Sequence, residues 1–160
     1  LLGRVIPPYG GDTCFANMEL AYELLDDETK AQIEGRYAIH SYVKSFGPGL
    51  TPEELAEAQR KHPDQKHPIV RTHPETGNKS LFINREFTLT IDGMTAAESR
   101  DLRYKLYEMA RIPEIQCRFR WQTNSIAQWD NRCTQHYAVP DHGGQHRRVE
   151  RVTLVGDRPT

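Results

Sequence analysis

The fold is decided by Trp129–Pro159, WDNRCTQHYAVPDHGGQHRRVERVTLVGDRP. Its latter part, Arg147 to Val155, reads as a strand. Alternate side chains of a strand leave opposite faces, so Arg147, Val149, Arg151, Thr153 and Val155 share one face and Arg148, Glu150, Val152 and Leu154 the other. Arg147 and Arg151 then stand on one side, roughly 13 Å apart at about 3.3 Å per residue. Two guanidiniums on a half-apolar strand are costly to bury without anions to bind. A solvent-facing strand with ordinary surface arginines fits the periodicity equally well. Ahead of that strand lie one histidine in a Thr-Gln-His-Tyr-Ala setting (His136) and a glycine-containing loop from Asp141 to Gln145.

Outward from there, the 160 residues suit one domain. Lys and Arg number 21 against 22 Asp and Glu, which lacks the basic excess of a nucleic-acid surface. No apolar run approaches the roughly 20 residues of a membrane span, and Leu1 to Gly10 has no signal-peptide pattern. Cys14, Cys117 and Cys133 are odd in number and lack CxxC spacing. They read as free thiols of a reducing cytoplasm, each a small packing residue.

Leu1 to Ile6 reads as a short strand stopped by Pro7-Pro8, with a tight turn at Tyr9-Gly10-Gly11-Asp12-Thr13. Helical spacing covers Asn17 to Leu25 and Asp27 to Glu34. Arg36 to Val43 reads as a strand, with His40 a packed or surface histidine. Thr51-Pro52-Glu53-Glu54 is a capping box opening a polar helix that ends near Lys61. His67 to Thr72 and Ser80 to Ile83 read as strands around a turn at Pro74 to Asn78. Thr95 to Glu98 is a second capping box, and Leu102, Leu106 and Met109 mark the apolar face of its helix, which Pro113 ends. Ile115 to Trp121 alternates as a strand, and Ile126 to Asp130 reads as another. No internal repeat is visible.

WDNR, T-Q-H, one arginine a loop later and a second opening R-V-T-x-x-G-D-x-P resemble the C-terminal signature of the taurine dioxygenase family, the Fe(II)- and 2-oxoglutarate-dependent oxygenases. P-x-G-G-D-T at Pro8 to Thr13 and HPIVRTHPETGNKSLFIN-x-x-FT from His67 extend the likeness over most of the chain. The resemblance implies a double-stranded β-helix, the cupin-like jelly roll, mainly β with helices packed outside. It makes residues 1–160 the C-terminal portion of a catalytic domain, truncated at its N-terminal side. Missing strands would leave open edges that invite pairing, so the chain alone is expected to be unstable or to form homo-oligomers.

By the same resemblance, His136 is an iron ligand and the distal histidine of a facial triad of two His and one carboxylate. The other two ligands belong to an H-x-D motif expected upstream of Leu1. His62-Pro63-Asp64 and His73-Pro74-Glu75 match H-x-D/E literally. The first ends an exposed helix, the second is turn chemistry, and both follow Thr13, the wrong order for the family. Thr13 and Arg147 are expected to bind the far carboxylate of 2-oxoglutarate. Arg151 is expected on the co-substrate or on the anionic group of the substrate. Phe87 falls where the family lines its substrate pocket, though a plain core aromatic fits as well. Glu150 stands where the family often has His, and should face away from both arginines. The implied reaction is hydroxylation of a small anionic substrate (sulfonate, sulfate ester or carboxylate) with dioxygen, releasing succinate and CO2, with no nucleic-acid or membrane partner. Two other readings stay open: a non-catalytic jelly-roll remnant binding a small dicarboxylate through Arg147, Arg151 and Thr13, and a zinc protein using His136, His142 and His146.

Overall fold

A computed structural model describes residues 1–157 and 159. Strand β1 (Leu2–Val5) runs to the two prolines, and Gly10 and Gly11, both at φ +69°, reverse the chain into β2 (Thr13–Asn17). Asn17 then starts helix α1 (Met18–Glu23), its Oδ1 accepting from the amides of Glu19 at 2.9 Å and Leu20 at 3.2 Å. These are orphan donors of a first helical turn. Asp26 caps α2 (Asp27–Ile33) in the same way.

Strand β3 (Tyr37–His40) is shorter than its sequence pattern. The Ser41 amide donates to Phe87 O at 2.8 Å, and Tyr42–Phe46 coils into helix α3 instead of continuing the strand. Tyr42 and Phe46, one helical turn apart, pack ring against ring at 4.7 Å, a pairing that only helical spacing allows. Helix α4 (Pro52–Lys61) has the expected Thr51/Glu54 capping box and buries no residue. The expected strand over 67–72 is two: β4 (Gln65–Pro68) and β5 (Val70–Thr72), separated at the fully buried Ile69. Strand β6 (Lys79–Leu81) returns against β5.

After β7 (Thr88–Ile91), helix α5 (Ala96–Met109) packs on it through the buried Leu102 and Leu106. Ser99 Oγ accepts from the Ile91 amide at 2.8 Å. Strand β8 (Gln116–Phe119) follows a short 3-10 turn. The expected strand at 126–130 reduces to one isolated bridge, Leu2 to Ile126. Last come β9 (Thr134–Ala138) and β10 (Arg148–Glu150).

Ordered by hydrogen bonding, the sheets are β1-β10, β8-β2-β9, β4-β3-β7 and β5-β6, every pair antiparallel. The fold is α+β, antiparallel sheets with flanking helices, in line with what the resemblance implies. The main core lies where α1, α2 and α5 meet the β4-β3-β7 sheet and the β5-β6 hairpin: Met18, Ile33, Ile69, Leu81, Ile83, Ile91 and Leu106 are almost wholly buried there.

One expectation is corrected. The strand from Arg147 to Val155 exists only over Arg148–Glu150, because β1 offers it a ladder no further than Leu2 opposite Glu150. Residues 151–157 run without regular structure, and Val152, Leu154 and Val155 are almost wholly exposed. The 13 Å strand spacing of the two arginines therefore does not apply.

Candidate active site

Residues directly opposite in antiparallel strands share a sheet face. In β8-β2-β9, Thr13 lies opposite Phe119 and Ala138, and Phe15 opposite Cys117 and His136. Thr13, Phe15 and His136 are thus on one face. That face opens into a groove of about 730 Å³ lined by Phe15, Phe119, Ile126, Trp129 and Thr134. His136 is solvent-accessible and stands in an aromatic corner, its ring centroid 4.8 Å from Trp129 and 6.2 Å from Phe15. Burial of the imidazole, and then the positive charge of Arg151, push its pKa down. Both favour the neutral ring, the form that ligates metals.

Thr13 is fully buried, and its Oγ1 accepts from Trp121 Nε1 at 3.0 Å. A hydroxyl that accepts in this way still has its own proton to donate. Two residues earlier, Gly11 O accepts from Arg147 Nε at 2.8 Å. A Cβ on Gly11 would meet Arg147 Cδ at 2.8 Å, so a side chain at 11 and the guanidinium cannot both keep these positions. Asp141 Oδ1 accepts from the Gly11 amide at 2.7 Å, and Arg118 bridges Asp12 at 2.7 Å and Asp141 at 3.0 Å. The turn before Thr13 and the loop after His136 are held together by these contacts. Glu150 pairs with Arg4 at 2.7 Å and with Arg148 at 2.8 Å. It therefore engages neither Arg147 nor Arg151, in keeping with the alternation argument.

The profile of the family described as "Taurine catabolism dioxygenase TauD, TfdA family" matches residues 1–153. The chain belongs to this family. Among TauD/TfdA relatives, an "Alkylsulfatase" of Acinetobacter baylyi is 41% identical over all of this chain and 52% of its own length. An "Alpha-ketoglutarate-dependent sulfate ester dioxygenase" of Pseudomonas putida is 36% identical over 97% of this chain and 54% of its own. The crystal structure of AAD-2 in complex with Mn(II) and N-oxalylglycine superposes with a TM-score of 0.87 at 36% identity, covering 99% of this chain and 62% of that one. A taurine dioxygenase from Burkholderia xenovorans superposes at 0.82 with 40% identity, over 98% of this chain and 51% of that one. The chain spans about half the length of the curated relatives it matches.

Within the TauD/TfdA frame, Phe87 sits apart from the groove beside His136. It precedes β7 and lines an open pocket of about 410 Å³ with His40, Tyr42, Lys61, His62 and His67. Phe46 of α3 lies 5.9 Å from it, ring to ring. The sequence reading missed Phe46, since nothing in 37–46 announces the switch from strand to helix. It also missed Trp121, whose contact with Thr13 spans 108 residues.

The three-histidine zinc site is corrected. Among the described residues, the group of three metal-capable side chains with ligand atoms within 4.8 Å of one another is His73, Asp130 and Cys133, not His136, His142 and His146. His142 and His146 sit on the Gly143-Gly144 loop, whose left-handed turns carry them apart from the strand that holds His136.

The His73 cluster is itself unsuited to a metal. His73 Nδ1 accepts from the amides of Glu75 at 3.3 Å and Thr76 at 3.2 Å. A neutral imidazole in that setting carries its proton on Nε2 and donates it to Asp130 Oδ2, 3.2 Å away. No ring lone pair is left to face Asp130 and Cys133. Asp130 is also held by a forked bond from Arg132, at 3.0 and 2.6 Å, which keeps its carboxyl well below the usual range. His73, Asp130 and Arg132 are a structural knot tying the WDNR turn to the β5-β6 hairpin.

Proposed function

We propose that this chain forms the 2-oxoglutarate-binding part of an Fe(II)/2-oxoglutarate-dependent dioxygenase that hydroxylates a small anionic substrate. On this reading its sheets are part of a double-stranded β-helix, and residues 1–160 the C-terminal portion of the catalytic domain. The observation that supports the reading is that Thr13 and His136 share one face of the β8-β2-β9 sheet, with Arg147 bonded to the turn that leads into Thr13.

Each residue has a physical task. Arg147 is held through Nε, which leaves its terminal nitrogens to grip a carboxylate with charge and direction. Thr13 adds a hydroxyl donor whose orientation Trp121 fixes. His136, kept neutral, would hold one coordination position of an iron whose facial triad takes two further protein ligands. When bound, that iron would supply the oxidising power with 2-oxoglutarate and dioxygen, one oxygen atom going to the substrate and the other to the succinate that forms with CO2. Phe15 and Trp129 give the groove an apolar wall beside His136. Arg151 is the anion holder for the substrate. An anionic substrate is supported by the relatives, whose names refer to sulfate esters, sulfonates and 2,4-dichlorophenoxyacetate.

Calorimetric titration of 2-oxoglutarate into the protein and into Arg147→Ala tests the reading. Loss of one charge-assisted carboxylate pair implies roughly tenfold or more weaker binding. Equal affinity of the two proteins would remove Arg147 from the site. Binding without metal-dependent succinate formation in the full-length protein would make it a dicarboxylate binder rather than an oxygenase.

A further inference from the structure

Residues 151–157 have no ladder partner, yet Arg151 has to stand still to hold an anion. We infer that Asp157 and Arg71 form a latch that holds residues 151–157 in place and so positions Arg151. The inference rests on the proposed role of Arg151.

Arg71 lies in β5 with its side chain 5% exposed, and its Nη2 donates to Asp157 Oδ2 at 2.8 Å. Its guanidinium covers the Phe82 ring at 5.3 Å, and its Nε is buried without a hydrogen-bond partner. A buried guanidinium strongly favours the conformation that brings it an anion, because leaving it unpaired costs more than forming the pair gains. The anion it finds comes from 86 residues further along. Arg132, clamped by Asp130 and by Glu75 at 2.8 Å, adds a second positive charge that acts on Asp157.

The segment is therefore strung between two fixed points. One is the end of the β1-β10 ladder, at Leu2 opposite Glu150. The other is the Arg71–Asp157 pair. Between them Val152, Leu154 and Val155 are 88%, 82% and 101% exposed, so side-chain packing contributes almost nothing to holding the segment. Arg151 is the first residue past the ladder. Release of the far anchor leaves 151–157 tied at the ladder alone among the contacts described, and fraying at the ladder end reaches Arg151 first. Arg147 is insulated from this, since Gly11 O holds it separately.

The latch makes a split prediction. Asp157→Asn keeps the shape and removes the charge. Backbone NMR order parameters over 152–156 should fall to below about 0.6, the flexible range, while those of β2 and β9 stay near the rigid value of about 0.85. Asp157→Glu should restore much of the order. In the full-length protein, with hexyl sulfate as the anionic probe, Asp157→Asn should weaken the probe about tenfold, as Arg151→Ala does, and leave 2-oxoglutarate affinity unchanged. Order parameters over 152–156 that are equal in wild type and Asp157→Asn overturn the latch. So does lowered order with unaltered probe binding where Arg151→Ala does weaken the probe. If Arg151→Ala itself binds the probe as wild type does, the role given to Arg151 fails, and the relaxation experiment still reports separately on the latch.

Discussion

Gly11→Ala separates two costs that are usually entangled. At φ +69° an alanine is strained by roughly 1–2 kcal/mol. The new Cβ would also stand 2.8 Å from Arg147 Cδ and 2.9 Å from its Nε. No real contact is that close, so Arg147 swings away and its bond to Gly11 O is lost. A hydrogen bond from a charged donor is worth about 1.5–3 kcal/mol, and the partial exposure of this one argues for the low end. The total is about 2–4 kcal/mol. Gly35, just after α2, supplies the control: its φ is +66° and a Cβ there meets nothing within 4 Å. Gly35→Ala should cost only the backbone strain. Urea denaturation of both variants should therefore differ by about 1–2 kcal/mol, with Gly11→Ala the less stable. Calorimetry should show 2-oxoglutarate bound about tenfold more weakly by Gly11→Ala and normally by Gly35→Ala, because the guanidinium is no longer pre-set. Equal destabilisation, with unchanged affinity in both, would refute the claim that the glycine exists to admit Arg147.

Three other outcomes follow from the geometry. Burial, followed by the charges of His67 and Lys44, holds the pKa of His40 down to about 4 from an ordinary 6.5. Between those values the unfolded chain binds the proton and the folded chain does not, so stability is full above pH 6.5 and falls by up to about 3 kcal/mol as pH drops to 4. Urea midpoints at pH 7 and 4.5 should lose that extra slope in His40→Gln, and an unchanged slope would show that His40 is not its source. Trp121→Phe removes the donor to buried Thr13 and should cost about 1–2 kcal/mol, with 2-oxoglutarate affinity a few-fold lower; unaltered stability and affinity would mean that the contact orients nothing. Co(II) should form no thiolate complex at His73, Asp130 and Cys133, and a Co(II)–thiolate absorption that vanishes in Cys133→Ser would contradict the tautomer argued for His73.

What the sequence made legible was whatever depends on neighbours in the chain. The two capping boxes at Thr51 and Thr95 and the glycine turn before Thr13 are local, and each formed where its signals stood, while the alternating run from Ile115 to Trp121 is a strand only over Gln116–Phe119. Where the reading failed, a distant partner decided. Strand β3 stopped at His40, where its ladders to β4 and β7 both end, and Tyr42–Phe46 is helical. The long strand after Arg147 stopped at Glu150 although its alternation continues to Val155, since alternation records which side chains can face a core and not whether a neighbouring strand is there to pair. The resemblance to the taurine dioxygenase family likewise singled out Thr13, His136 and Arg147 but not the residues that hold them: Trp121, Gly11, Asp141 and the Arg71–Asp157 pair reach their targets across long stretches of chain. Of these, only the two adjacent glycines carried a local signal, and they pointed to a turn rather than to an arginine. A supporting residue leaves no trace in spacing, because its role is defined by what it touches. For a site proposed from both ends of a chain, the candidate residues can therefore be readable from motifs while the contacts that hold them in place are not.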